Sequence, residues 1–275
     1  MNAATPTETD PGLESLLAFW AMAGVDTCYD DAPVDRTIRA APMLRTQASP
    51  SAVARSQPAI RPNPGGEVDR DRLTEARDLA AAADSIEALG AAIAAFDGCP
   101  LKTAGARQAV FARGAADAPV LLIGEAPGAD EDLQGLPFVG RAGKLIDRML
   151  DAAGLTGRVF ITNTVFWRPP GNRTPTPAEQ QVCAPFLERA IELVNPRLLL
   201  LVGGASAKSM LGVGDGILSL RGRWSDWRSR NGDHVLPALP TLHPAFLLRQ
   251  PGAKKKAWDD LLTLTERLDR PDGAT

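Results

Sequence analysis

Cysteine is scarce in this chain. Three residues, Cys28, Cys99 and Cys183, occur in 275 positions, and the first residues carry no signal-like pattern, so a reducing, cytoplasmic setting is expected. No apolar run approaches the roughly 20 residues that a membrane span requires, so no membrane association is expected. Excess charge of one sign is lacking too: a net charge of -3 argues against a uniformly basic nucleic-acid binder. No internal repeat is visible. Neither GxxxxGKS/T nor GxGxxG stands around Gly124, which weakens a reading as a nucleotide-binding α/β module with a phosphate-cradling loop.

What is present bounds the architecture. With 44% apolar residues, 275 positions can bury one sizeable core and are too few for two large ones. Charge is unevenly spread. Residues 1–98 hold 8 basic and 15 acidic side chains, and the remainder holds 22 basic and 18 acidic, a local excess of +4. That excess permits a cationic face on the C-terminal part, as phosphate binding requires.

Residues 1–84 read as an N-terminal extension. A polar tail leads into an amphipathic segment, LESLLAFWAMA at 13–23, whose Phe19 and Trp20 need cover from the body or from a protein partner. Residues 37–71, rich in Ala, Pro, Ser and Arg without periodicity, read as a linker. An acidic and basic helix over 71–83 follows, and then a helix within 85–96 that Ser85 can cap.

Residues 85–275 form the expected catalytic domain, in which strands and helices alternate. Candidate strands are 120–123, 159–163, 198–202 and 238–242; candidate helices are 142–153, 177–194, 204–211 and 257–268. Continuous apolar strands such as LLLLV suit a parallel sheet covered on both faces. The expected fold is therefore α/β, a three-layer α/β/α sandwich around a central parallel four-stranded sheet, with the strand ends gathered into one crevice.

The most informative stretch is VLLIGEAPGADEDLQGLPFVGRAG, residues 120–143. A short buried strand breaks into a loop containing Gly124, Gly128, Gly135, Gly140 and Gly143, whose bare backbone can approach a ligand closely. Phe138 in that loop is either a core plug or a stacking face for a flat ligand. Two further strand ends carry polar residues. Asn163 lies at the exit of the second strand, ahead of the basic, proline-rich TVFWRPPGNRTP, and either forms a turn or binds. His243 begins HPAFLLRQPGAKKK, and its ring either faces solvent or faces a site.

Taken together and in this order, GEAPGADEDLQGLPFVGRAG, TNTVFWRPPGNRTP and HPAFLLR resemble the three motifs of the family 4 uracil-DNA glycosylases. The resemblance runs from about Cys99 to Leu268. It implies that Phe138 stacks on an extruded base and that Asn163 reads the base edge, donating to uracil O4 and accepting from N3–H, polarities that cytosine reverses. Glu131 is implied to occupy the space a thymine methyl would need. His243 is implied to face uracil O2 and stabilise the leaving anion, assisted by backbone N–H groups of the loop from Gly124 to Gly128. Glu125 is the matching carboxylate for the attacking water. Better-studied members of the superfamily carry Asp one position later, where this chain has Ala126.

Base extrusion and strand binding are implied for the loop after His243, with Leu247 and Leu248 as wedges and Arg249 and Lys254 to Lys256 on phosphates. Arg141, Arg168 and Arg173 are further phosphate candidates. No lysine stands at a matching position in the three motifs, so a monofunctional enzyme that leaves an abasic site is expected, acting as a monomer on single- or double-stranded uracil-containing DNA. A catalytically silent lesion binder of the same fold is the alternative.

The family's pattern also includes four cysteines that hold an iron-sulfur cluster. Here the corresponding positions read Phe96, Cys99, Trp167 and Cys183. Two thiolates are too few for such a cluster. No cofactor and no metal are expected, with the two rings filling the volume and Cys99 and Cys183 as buried neighbouring thiols.

Overall fold

A computed structural model of the chain describes residues 70–270. The expected 13–23 helix and the linker lie outside the described residues.

Among the described residues six strands form one sheet: β1 (Ala112–Arg113), β2 (Val120–Gly124), β3 (Val159–Asn163), β4 (Leu198–Val202), β5 (Ser225–Arg228) and β6 (Val235–Thr241), in the order β1-β3-β2-β4-β6-β5. The four inner strands run parallel, as the apolar runs predict. Two short edge strands, β1 and β5, pair antiparallel and extend the expected four-stranded sheet to six. β6 begins earlier than position 238 because Val235 to Ala238 pair with β5.

Side chains leave successive residues of a strand on opposite faces, and β2 shows the consequence. Leu121 and Ile123 enter one core with Phe160, Leu199 and Leu201; Val120 and Leu122 enter another with Ile161, Leu198 and Leu200. The first core is covered by helices Arg70–Ala82, Ile86–Ala95 and Pro177–Val194. The second is covered by helices Arg141–Ala152 and Lys254–Asp269, which completes the three layers.

Local chemistry fixes the helix starts. Ser85 Oγ accepts from Ala88 N, the expected cap. Thr176 and Glu179 close a reciprocal capping box ahead of Pro177, with Glu179 N to Thr176 Oγ1 at 3.3 Å and Thr176 N to Glu179 Oε2 at 2.7 Å. Helix Arg70–Ala82 buries Ala76 and Ala80 in the same core as the sheet. The compact body therefore takes in this helix, upstream of the boundary placed at 84/85. Among the described residues no helix is long and apolar enough to cross a membrane.

One buried charge ties the last strand to the last helix. Asp260, fully buried, accepts from Thr241 Oγ1 at 2.7 Å and from Arg221 Nε at 3.1 Å, and also pairs with Arg221 Nη2. Thr241 ends β6 two residues before His243, so this latch sets the height of the strand end. Removing one partner of a buried pair leaves the other uncompensated. Asp260→Ala is expected to cost about 3–5 kcal/mol of stability, read as a lowered denaturant midpoint.

Candidate active site

The C-terminal ends of β2, β3 and β6 converge on one side of the sheet. In the parallel register Gly124 lies opposite Asn163, and Thr164 N donates to the Gly124 carbonyl at 3.0 Å. A side chain at Gly124 would strike the Asn163 amide oxygen and come within 2.6 Å of Phe138 Cζ. The bare backbone at this strand end is therefore what allows the amide and the ring to meet over it.

Phe138 holds φ at 55°, in the left-handed region that side chains other than Gly, Asn and Asp seldom adopt. Its ring is buried, and its centroid lies 5.9 Å from that of His243, with the planes 33° apart. At Gly143 any Cβ would collide with the Phe138 carbonyl, so the following helix can start only with glycine there. His243 is held in turn by the residue that follows β4. Gly203, at φ 94°, donates its N–H to Thr241 O, and a Cβ on it would lie 3.1 Å from His243 Cβ.

The polar groups are arranged for a ligand. Asn163 is buried, and its Oδ1 has no hydrogen-bond partner among the described residues. Such an orphan acceptor costs about 1–3 kcal/mol, which a bound donor recovers. His243 Nδ1 accepts from Ala245 N at 3.1 Å, so the neutral ring carries its proton on Nε2. Burial lowers the His243 pKa to about 4; the Arg249 charge adds to this and Glu131 opposes it. At neutral pH the imidazole is an uncharged donor. These groups line a cavity of about 570 Å³, together with Glu125, Glu131 and Arg249.

Glu131 is bound on both oxygens. Oε1 accepts from Val139 N at 2.9 Å and Gly140 N at 3.0 Å, and Oε2 accepts from Gly128 N at 3.1 Å. The Gly128 N–H expected to assist a leaving anion is thus already engaged.

The residues expected to meet DNA divide into several groups. Leu247 is fully buried with Leu242 and Ala257, so it cannot act as a wedge; Leu248, 38% exposed, faces outward. Pro244 and Leu247 occupy the inner face of helix Pro244–Arg249, which points the next leucine away. Arg173 lies on the cavity wall but is forked onto Glu179 at 2.9 and 2.7 Å, so it shapes the 169–174 loop rather than standing free for phosphate. Arg168 donates to Asn172 Oδ1 at 2.7 Å. Arg141, Arg249 and Lys254 are exposed. Phe246 and Asn172 also line the cavity and had no signal in the sequence beyond their place in the motifs.

The four positions matching the cluster pattern come together away from the cavity. Cys99 and Cys183 are buried with their sulfurs 3.9 Å apart. Phe96 packs against Trp167 at 6.5 Å and against Phe186 at 5.2 Å between centroids, and both Phe96 and Trp167 are buried. Burial pushes the Cys183 thiol up. Two sulfurs beside two packed rings do not fit a four-thiolate cluster. Among the described residues no group of three or more His, Cys, Asp or Glu is placed to hold a metal ion.

Comparison with known proteins gives a consistent result. A family model described as the uracil DNA glycosylase superfamily matches residues 111–262. The chain is 40% identical over 153 residues to a type-4 uracil-DNA glycosylase of Thermotoga maritima, covering 55% of this chain and 77% of the relative. It is 37% identical over 165 residues to one from Sulfurisphaera tokodaii (58% and 74%) and 36% identical over 170 residues to one from Pyrobaculum aerophilum (60% and 85%).

The depressed His243 pKa has a measurable sign. Its folded value lies below the ordinary imidazole value, so the unfolded chain binds the proton first as pH falls; this group's contribution to stability is intact above about 6.5 and is lost as pH drops toward 4. Imidazole NMR resonances are expected to show His243 titrating near 4 while remaining neutral at pH 6.

Proposed function

The chain belongs to the uracil DNA glycosylase superfamily, and from that membership we propose that it excises uracil from DNA as a monofunctional hydrolase, leaving an abasic site for base excision repair. The observation that carries the reading is the convergence of Phe138, Asn163 and His243, from three separate strand ends, on one cavity.

The chemistry assigns each a task. An extruded base stacks on Phe138. The orphan Oδ1 of Asn163 accepts from N3–H, and the same amide donates to O4; cytosine would leave both groups mismatched. The bond between C1′ and N1 breaks heterolytically, its electron pair leaves with the base, and charge accumulates toward O2. His243 Nε2–H donates to that oxygen as a neutral group, so it stabilises the anion without transferring a full proton. Water adds to C1′ on the opposite face, and Glu125 orients it and takes its proton. Glu131 excludes a thymine methyl as a fixed wall, because three backbone N–H bonds prevent its carboxylate from swinging aside.

DNA is proposed to cross the cavity mouth with Leu248 entering the vacated space and Arg141, Arg168, Arg249 and Lys254 near phosphates. The chain is proposed to act as a cytoplasmic monomer that holds no iron-sulfur cluster, with the extension before residue 70 recruiting a protein partner through residues 13–23.

Incubation with a uracil-containing single-stranded oligonucleotide, followed by alkaline cleavage, tests the activity. Strand scission at uracil and none at thymine is expected. Asn163→Ala and His243→Ala should each lower the rate by about 10²–10³. No release of uracil by the intact protein would sink the reading. Protein purified without oxygen should contain far less than one iron per chain; about four atoms per cluster is what a four-thiolate site would return.

A further inference from the structure

We infer that Arg113 is a positioning residue for the excision step, holding Phe138 in the backbone conformation that presents its ring to the base. This rests on the activity proposed above and extends it to a side chain outside the cavity wall.

Phe138 carries backbone strain. A phenylalanine at φ 55° is disfavoured by roughly 1–2 kcal/mol, so neighbours must hold it there. The hold is supplied from both sides. Arg113 Nε donates to Pro137 O at 2.8 Å and its Nη2 donates to Phe138 O at 3.2 Å. Glu131 receives the N–H groups of Val139 and Gly140. Two successive carbonyls are thus fixed by a cation and the next two amides by an anion, with Phe138 at the turn between them.

Arg113 is suited to this in a way that lysine is not, because its planar fork reaches two carbonyls at once. Asp147 meets the fork from its solvent side, its Oδ1 lying 2.5 Å from Nη2, and adds no bond to either carbonyl. Glu131 lines the cavity and so has two tasks; Arg113 does not line it and touches no residue given a role there except the Phe138 carbonyl.

The test is a double-mutant cycle on single-turnover uracil excision at saturating DNA, with DNA affinity and thermal midpoint measured in parallel. Arg113→Gln is expected to slow excision on the order of 10-fold with DNA affinity unchanged, because the ring is no longer pre-positioned. Arg113→Lys, which keeps the charge and can satisfy one carbonyl, should fall between and serves if the Gln variant does not fold. Asp147→Asn, which leaves both carbonyl bonds, should stay within about twofold of wild type, within the small range typical of an exposed pair. In a Phe138→Ala background the Arg113 substitution should cost nothing further. The inference is overturned if the two losses multiply independently, if DNA affinity falls with the rate, or if Asp147→Asn is as slow as Arg113→Gln. Wild-type activity is the separate control: its absence removes the proposed function, whereas only the ratios among variants bear on Arg113.

Discussion

The site depends on a bare backbone at the end of β2. Gly124 faces Asn163 across a parallel pair, and there is no room for even one carbon between the amide oxygen, the Phe138 ring and the strand. The sheet fixes that distance rigidly, since β2 and β3 are central strands buried on both faces. The segment after β2, which includes the short helix Ala129–Gln134, then carries the ring back over its own strand end, and Gly143 makes room for the returning carbonyl. Packing, glycine placement and a single strained φ thus form one arrangement.

The electrostatics follow from the same enclosure. The cavity brings an imidazole, two carboxylates and two arginines close together, yet the imidazole remains uncharged because desolvation outweighs the pull of Glu131. A neutral donor suits a leaving group that acquires charge only as its bond breaks: it gains strength with the developing anion and binds no resident counter-ion beforehand. Glu131 is held in place instead, its two oxygens accepting from three peptide N–H groups.

Much of this was legible in the sequence, for definite physical reasons. The inner strands β2 and β4 announced themselves as continuous apolar runs because both faces are covered. The edge strands did not. β1 is two residues long, and β5, SDWR, buries only Trp227, so neither carries a pattern. Leu247 and Leu248 look equivalent in HPAFLLR; which one enters the core depends on the helical phase set by Pro244 and on the floor that Leu242 and Ala257 provide. Arg113 was silent, since its partners lie 24 to 34 positions away and two of them are main-chain oxygens. The meeting of Cys99 and Cys183 was anticipated only through motif resemblance, because 84 positions separate them.

The unpartnered oxygen of Asn163 has a consequence for the severed base. The folded protein bears its desolvation between encounters, so any flat molecule with a matching donor relieves it, and the severed base is such a molecule. On the proposed role of Asn163, cutting the bond leaves that donor in place. In the proposed function the free base is therefore expected to compete with DNA for the same cavity.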